Sequence, residues 1–408
     1  MESRRPAGRL RTVALGIGLG LSLCEVPAMA SGKQVFRAGP DFGLPFSTAV
    51  RAGDLVYVSG VLATDPSGKL VEGDFGVQAR RTLDNLRASF EAAGTRLENA
   101  AAITVYLTRP SDFQALNEVY RTYWTKDPPT RTTLVTGLAV PGALIEIAGV
   151  AVREGAPRAV VHPKAWAASP NPYSYGIRTG DTLFLSGLVS RNLRQNVLVP
   201  GDATVQTRAV LDNAGAILEA AGMSYADVVS ARVYITDTAD FAAMNEAYRK
   251  YFPADPPARA TVKAALTSAD YRVEITLVAV KAAERRVFTT PRPDGGAGQP
   301  NPNLSSAVRA GDRLYLSGML GNTESNRGDA RAQARETFTR IGRTLAAAGF
   351  GWADVVDGVV YLTDGRDFPA LNEAYREVFT RDFPTRATVL TGLVAPDGLV
   401  EIMFVASK

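Results

Sequence analysis

The chain repeats itself three times, and this repetition limits what it can fold into more than any other property. Arg131 lies in Pro128-Pro129-Thr130-Arg131-Thr132-Thr133, Arg259 in Pro256-Pro257-Ala258-Arg259-Ala260-Thr261, and Arg386 in Phe383-Pro384-Thr385-Arg386-Ala387-Thr388. The lags are 128 and 127 residues, and Asn117, Asn245 and Asn372 keep them, as do Glu146, Glu274 and Glu401. The pairs Ser59-Gly60, Ser186-Gly187 and Ser317-Gly318 lag by 127 and 131, because the stretch that follows is shorter in the third copy. Such a period is too long for a solenoid unit and suits a whole small domain. The reading is three domains at 33–154, 157–283 and 284–408, preceded by an N-terminal segment.

That segment has its own logic. Arg4, Arg5, Arg9 and Arg11 precede an apolar run from Thr12 to Cys24, and Ala28-Met29-Ala30 supplies a small-x-small cleavage site. The pattern predicts a signal peptide over residues 1–30 and a periplasmic or secreted protein. An uncleaved anchor is the alternative, but the run is shorter and richer in glycine than a span of about 20 apolar residues. Cys24 is the one cysteine and would leave with the signal, so no disulfide, thiolate nucleophile or cysteine metal site is expected. Losing four arginines and two glutamates takes the formal charge from +4 to +2. No basic block remains, which speaks against a nucleic-acid partner, and no membrane attachment is expected after cleavage.

One copy can be read element by element. Ser47 to Val50 and Leu55 to Ser59 alternate around Ala52-Gly53-Asp54, a hairpin signature, with a first strand near Val35-Phe36. Leu83, Leu86 and Phe90 share one face of a helix over Val77 to Ala93 that Gly94 ends. Ala102 to Leu107 is a buried strand. A second helix runs through Phe113, Leu116 and Tyr120, capped by Ser111 or Asp112 and stopped by Asp127-Pro128-Pro129. Thr132 to Leu138 and Leu144 to Val152 are the last strands. The order β-β-β-α-β-α-β-β is α+β, with helices on one sheet face. Three copies packed around a shared axis would cover the other face.

Four spaced motifs recur in all three copies: the Ser-Gly pairs; Asn117/Tyr120, Asn245/Tyr248 and Asn372/Tyr375; the Pro-x-Arg-x-Thr segments; and Ile145-Glu146-Ile147, Val273-Glu274-Ile275 and Val400-Glu401-Ile402; a fifth, Pro172-Tyr173-Ser174, stands in the second copy. In these the chain resembles the RidA (YjgF-type) family of reactive imine/enamine deaminases over nearly the whole of each copy. The resemblance implies a chorismate-mutase-like fold. It also implies that a single chain forms, from its own three domains, the trimer that the family builds from three subunits, with sites in the clefts between domains.

The arginines carry the chemistry. A guanidinium is a rigid fork that pairs two-pronged with a carboxylate. The motif alone leaves open whether Arg131, Arg259 and Arg386 grip a ligand or form an ion pair with the strand glutamate fifteen residues on. The resemblance implies a ligand, the carboxylate of 2-aminoacrylate, 2-iminopropanoate or a similar imino acid. Glu146, Glu274 and Glu401 sit in apolar strands, where a carboxylate needs a partner or a proton. By resemblance they activate the water that releases ammonia and leaves a keto acid; a structural bond to the neighbouring domain is the alternative.

The resemblance further implies that Ser59, Ser186 and Ser317, with Gly60, Gly187 and Gly318, line the clefts with hydroxyl and N–H donors. It places Asn117, Asn245 and Asn372 in the pocket, with Thr133, Thr261 and Thr388 beside the ligand. The family tyrosine survives only as Tyr173, a further catalytic candidate; Phe46 and Leu304 replace it. The family glutamine after Ser-Gly is Val61, Leu188 and Met319. The clefts should therefore differ in competence, with the one using Tyr173 foremost. His162 is the only histidine and lies in a linker, so neither a serine–histidine nucleophile nor a metal centre is expected, and no cofactor. A non-catalytic binder of small carboxylates competes with the deaminase. A nuclease, a label sometimes attached to this family, has no histidine pair or basic patch to support it.

Overall fold

The computed structural model describes residues 1–2 and 32–408, so the expected signal peptide, apart from its first two residues, lies outside the described residues. The three copies belong to one compact unit, Ser31–Lys408. Among the described residues no helix is long and apolar enough to cross a membrane.

In the first copy the elements are β1 (Lys33–Phe36), β2 (Ala49–Ala52), β3 (Leu55–Val61), α1 (Phe75–Ala92), β4 (Ala100–Leu107), α2 (Phe113–Tyr123), β5 (Thr130–Val135), β6 (Gly137–Leu138) and β7 (Ile145–Val152). Their sheet order is β1-β2-β3-β7-β4-β5. Only β4 and β5 run parallel, with α2 as the crossover between them. Asp74 caps α1 by accepting the Val77 N–H at 2.9 Å, and Gly94 follows its end at φ 76°.

Two local expectations fail for tertiary reasons. Neither Ser111 nor Asp112 caps α2. A short 3₁₀ turn, Pro110–Asp112, leads into it, and Arg109 holds the Asp112 carboxylate at 2.9 and 3.2 Å. The strand read as Thr132 to Leu138 is interrupted at Thr136. Beyond that point β6 leaves its own sheet and pairs with Val389 and Leu390 of the third copy.

Each sheet buries one face against its helices. In the first copy Leu83, Leu86, Phe90, Leu116 and Tyr120 pack on Val105 and Ile147 with no exposed surface. Each such large side chain contributes roughly 1.5–3 kcal/mol by leaving water. The opposite faces meet at a shared core that takes Tyr106 and Leu134 from the first copy, Tyr234 and Val262 from the second, and Tyr361 and Val389 from the third.

Edge strands close the ring, since an open edge leaves backbone groups unpaired. β6 extends the third copy's sheet, Gly392–Leu393 extends the second copy's sheet at Ala258–Lys263, and Ala265 bridges Val135 of the first. A cation at the start of each copy ties it to the one before. Lys33 donates to the carbonyls of Val355 and Asp382, Arg158 to those of Ala100 and Asp127, and Arg285 to those of Val228 and Asp255. The architecture is an intramolecular pseudo-trimer.

Fusion also permits asymmetry. Positions equivalent to Thr104 hold Arg232 and Val359, and those equivalent to Ala102 hold Ser230 and Asp357. Arg232 and Asp357 therefore line an axial cavity of about 80 Å³ as single copies, where a homotrimer would repeat each charge three times.

Candidate active site

β5 carries Arg131 and Thr133 to the edge of the first sheet, where its outer backbone groups need partners. The second copy supplies them. The Arg131 N–H donates to Ser186 Oγ at 2.9 Å, and the Gly187 N–H donates to the Arg131 carbonyl at 3.1 Å. Ser186 in turn donates to the Ser174 carbonyl at 2.7 Å. Arg259 meets Ser317 at 2.7 Å and Arg386 meets Ser59 at 2.8 Å in the same way. This corrects the expectation for Ser59, Ser186 and Ser317. Their hydroxyls are fully engaged in stapling one copy to the next and offer no free donor to a ligand.

The guanidinium groups point inward from that staple. Nη2 of Arg131, Arg259 and Arg386 donates to Oδ1 of Asn117, Asn245 and Asn372 at 2.7, 2.6 and 2.7 Å. Each lies over a tyrosine ring from the same helix as its asparagine: Tyr120 at 4.9 Å, Tyr248 at 4.6 Å and Tyr375 at 4.8 Å. All three arginines are buried, yet Nε and Nη1 of Arg131 and Arg259, and Nη1 of Arg386, donate to no protein group. Burial draws the pKa of each below the usual arginine range, that of Arg386 to about 10.

The glutamate facing each arginine belongs to another copy. Glu274 faces Arg131, Glu401 faces Arg259 and Glu146 faces Arg386. The ion pair within one copy, to the glutamate fifteen residues on, is not formed. Burial pushes each carboxyl up to about 8, opposed by the arginine and by the backbone N–H of Thr133, Thr261 or Thr388. The Ser-Gly glycines are explained by the same carboxyls. A Cβ on Gly60, Gly187 or Gly318 would lie 1.9, 2.0 or 1.9 Å from the glutamate Oε1, so no other residue leaves the carboxyl its place.

The endoribonuclease L-PSP family model matches residues 37–153, 164–281 and 297–408. The chain belongs to this family, that of RidA. A RutC family protein from Pyrococcus horikoshii is 44% identical over 110 residues, 27% of this chain and 87% of its own length. The chloroplastic Reactive Intermediate Deaminase A of Arabidopsis thaliana is 38% identical over 120 residues, 29% of this chain and 64% of its own length. A chorismatase crystal structure aligns with a TM-score of 0.52 at 16% identity, covering 76% of this chain and 93% of its own, a likeness of fold alone.

The three RidA clefts are not equivalent. Between the first and second copies lies a cavity of about 300 Å³ that gathers Arg131, Thr133, Tyr173, Gly187 and Glu274. The Tyr173 ring stands 5.3 Å from the Arg131 guanidinium. Phe46 occupies that place beside Arg386, also at 5.3 Å, and Leu304 replaces the ring in the remaining cleft. Arg191, Tyr271 and Asn171 also line the cavity and were missed by motif reading. Aligning the RidA copies with one another would have found them. Arg191 stands where the other copies have Thr64 and Asn322, and Tyr271 where they have Ala143 and Gly398. His162 stays in its linker, with Nε2 3.2 Å from the Trp166 carbonyl.

Proposed function

We propose that this chain hydrolyses small reactive imino acids of the 2-iminopropanoate and 2-aminoacrylate type to 2-keto acids and ammonia, in the clefts between its copies. The observation that carries the reading is a buried guanidinium with undirected donors set against a glutamate whose pKa lies near 8. RidA family membership and the relative named as a reactive intermediate deaminase support deamination in general. In the cleft of Arg131, the guanidinium N–H groups that Asn117 leaves free donate to the substrate carboxylate and so direct the imine carbon toward Glu274. The Glu274 carboxylate accepts a proton from water as the water oxygen bonds to that carbon. The proton then passes to nitrogen to give the carbinolamine; as the C–N bond breaks, the hydroxyl proton is carried by Glu274 to the departing nitrogen, ammonia leaves and the carbonyl of the keto acid forms. A pKa near the working pH lets one group take and return the proton. An enamine substrate first takes a proton on carbon to become the imine.

The test is imine decay, with imino acid made in situ by an amino-acid oxidase. Arg131→Ala and Glu274→Gln should each lower the acceleration due to this cleft by about 100-fold or more. Keto-acid binding without acceleration, unaffected by Glu274→Gln, would instead favour a binding protein. We further propose that residues 1–30 direct export; a periplasmic fraction whose N-terminus begins at Ser31 is expected, and cytosolic protein retaining Met1 counts against it.

A further inference from the structure

The cavity between the first and second copies contains a second guanidinium. Arg191 donates from Nε to Asn196 Oδ1 at 3.0 Å, from Nη1 to the Tyr271 hydroxyl at 2.8 Å, and from Nη2 to the Asn196 carbonyl. All three acceptors are neutral. Among the described residues no carboxylate lies within 4.0 Å of it. Asn196 adopts φ 56°, in the turn of the small hairpin Arg191–Asn192/Val197–Leu198, and this conformation brings both of its acceptors to the same guanidinium. Of five N–H donors three are engaged, which fixes the plane of the fork and leaves two for a ligand.

The fold does not demand an arginine here. Asn85 donates to the Thr64 carbonyl at 3.0 Å, and the matching Asn213 donates to the Arg191 carbonyl at 2.7 Å. The shared structural role is thus met by the backbone, which leaves the side chain free to differ. Tyr271, which orients Arg191, is equally particular to this cleft. Of the residues lining the cavity, only Arg131, Arg191 and Glu274 have ordinarily charged side chains. Burial disfavours the charged form of Glu274. The cavity thus sets two separately anchored guanidinium groups against a single carboxyl. Its volume of about 300 Å³ reaches the size that encloses a small organic ligand.

We infer that this cleft takes an imino acid with two acidic ends, Arg131 holding the carboxylate beside the imine carbon and Arg191 the distal one. The ligand class is the short 2-iminodicarboxylates, such as the imines of aspartate and glutamate. The reaction part rests on the deaminase reading; the recognition of a dianion does not.

The two are tested separately. For turnover, kcat/KM is compared for 2-iminoglutarate and 2-iminopropanoate, each made in situ. The wild-type ratio should favour the dicarboxylate by about ten-fold or more. Arg191→Met should lower that ratio at least ten-fold, mainly through KM, and Arg191→Lys should recover part of it. A wild-type ratio at or below one, or an equal loss on both imines, overturns the inference. For binding, calorimetry compares 2-oxoglutarate with pyruvate on the intact chain. If neither imine is accelerated, yet 2-oxoglutarate binds at least ten-fold more tightly and Arg191→Met erases the difference, the deaminase reading falls and the two-anion cleft stands. Equal binding of the two keto acids overturns it whatever the turnover.

Discussion

Replacing Glu274 by glutamine should make the protein more stable at neutral pH while it removes the acid–base group. The carboxyl, 4% exposed, has a pKa of about 8 against an ordinary value of 4.5. Between those values the folded chain holds a proton that the unfolded chain has released. Stability therefore falls as pH rises through this window, by about 1.4 kcal/mol per pH unit for each such group. Below the window both states are protonated, and above it both are ionised, so the slope vanishes at either end. From pH 5 to 7 one such glutamate accounts for roughly 2–3 kcal/mol. Glutamine has no proton to lose. Glu274→Gln should match the wild type within about 1 kcal/mol at pH 5 and exceed it by about 2–3 kcal/mol at pH 7, less about 1 kcal/mol for the altered contact to Thr133. Reversible urea unfolding of both proteins at pH 5, 6 and 7 measures this, and other titrating groups cancel in the difference. Parallel stability curves would refute the argument, because they would mean that Glu274 is ionised in the folded chain. A gain in stability bought with a loss of activity is what a strained functional group should show.

Gly187→Ala places a Cβ 2.0 Å from Glu274 Oε1, so the carboxyl must move by about 1.4 Å to reach ordinary contact, and turnover in this cleft should drop about ten-fold or more with the circular dichroism spectrum unchanged. Tyr173→Phe keeps a ring over Arg131, as Phe46 does over Arg386, and removes only the hydroxyl; Tyr173→Leu mimics Leu304 and removes both. If the hydroxyl matters, the two variants should lose similar activity, and if the ring matters only the leucine variant should. Arg313 reaches from the third copy to Asp181 of the second at 2.6 Å and also to Thr182, so Arg313→Ala should lower the unfolding free energy by about 1–3 kcal/mol; an unmoved urea midpoint would show that this clasp contributes nothing.

How far the chain could be read in advance follows from the range of each interaction. The period of Leu83, Leu86 and Phe90, the turn at Gly53 and the stop at Gly94 are local, and the elements they imply are present with ends shifted by a few residues. The arginine, asparagine and glutamate of each site announced themselves by recurring three times. Arg191 and Tyr271 did not, because a residue that occurs in one copy has no repetition to mark it.

Order along the chain, the number of domains and the residue types available for chemistry are all written in short windows and their recurrence, since backbone preference and hydrophobic period act over a few residues. Which glutamate meets which arginine is not, for Glu274 approaches Arg131 rather than Arg259, and Glu146 crosses to Arg386 near the other end. Those pairings, the use of the serines as staples and the solitary Arg232 and Asp357 on the axis depend on sheet edges of different copies finding one another. Contacts between residues more than a hundred positions apart are set by the closing of the ring, and only the folded chain decides them.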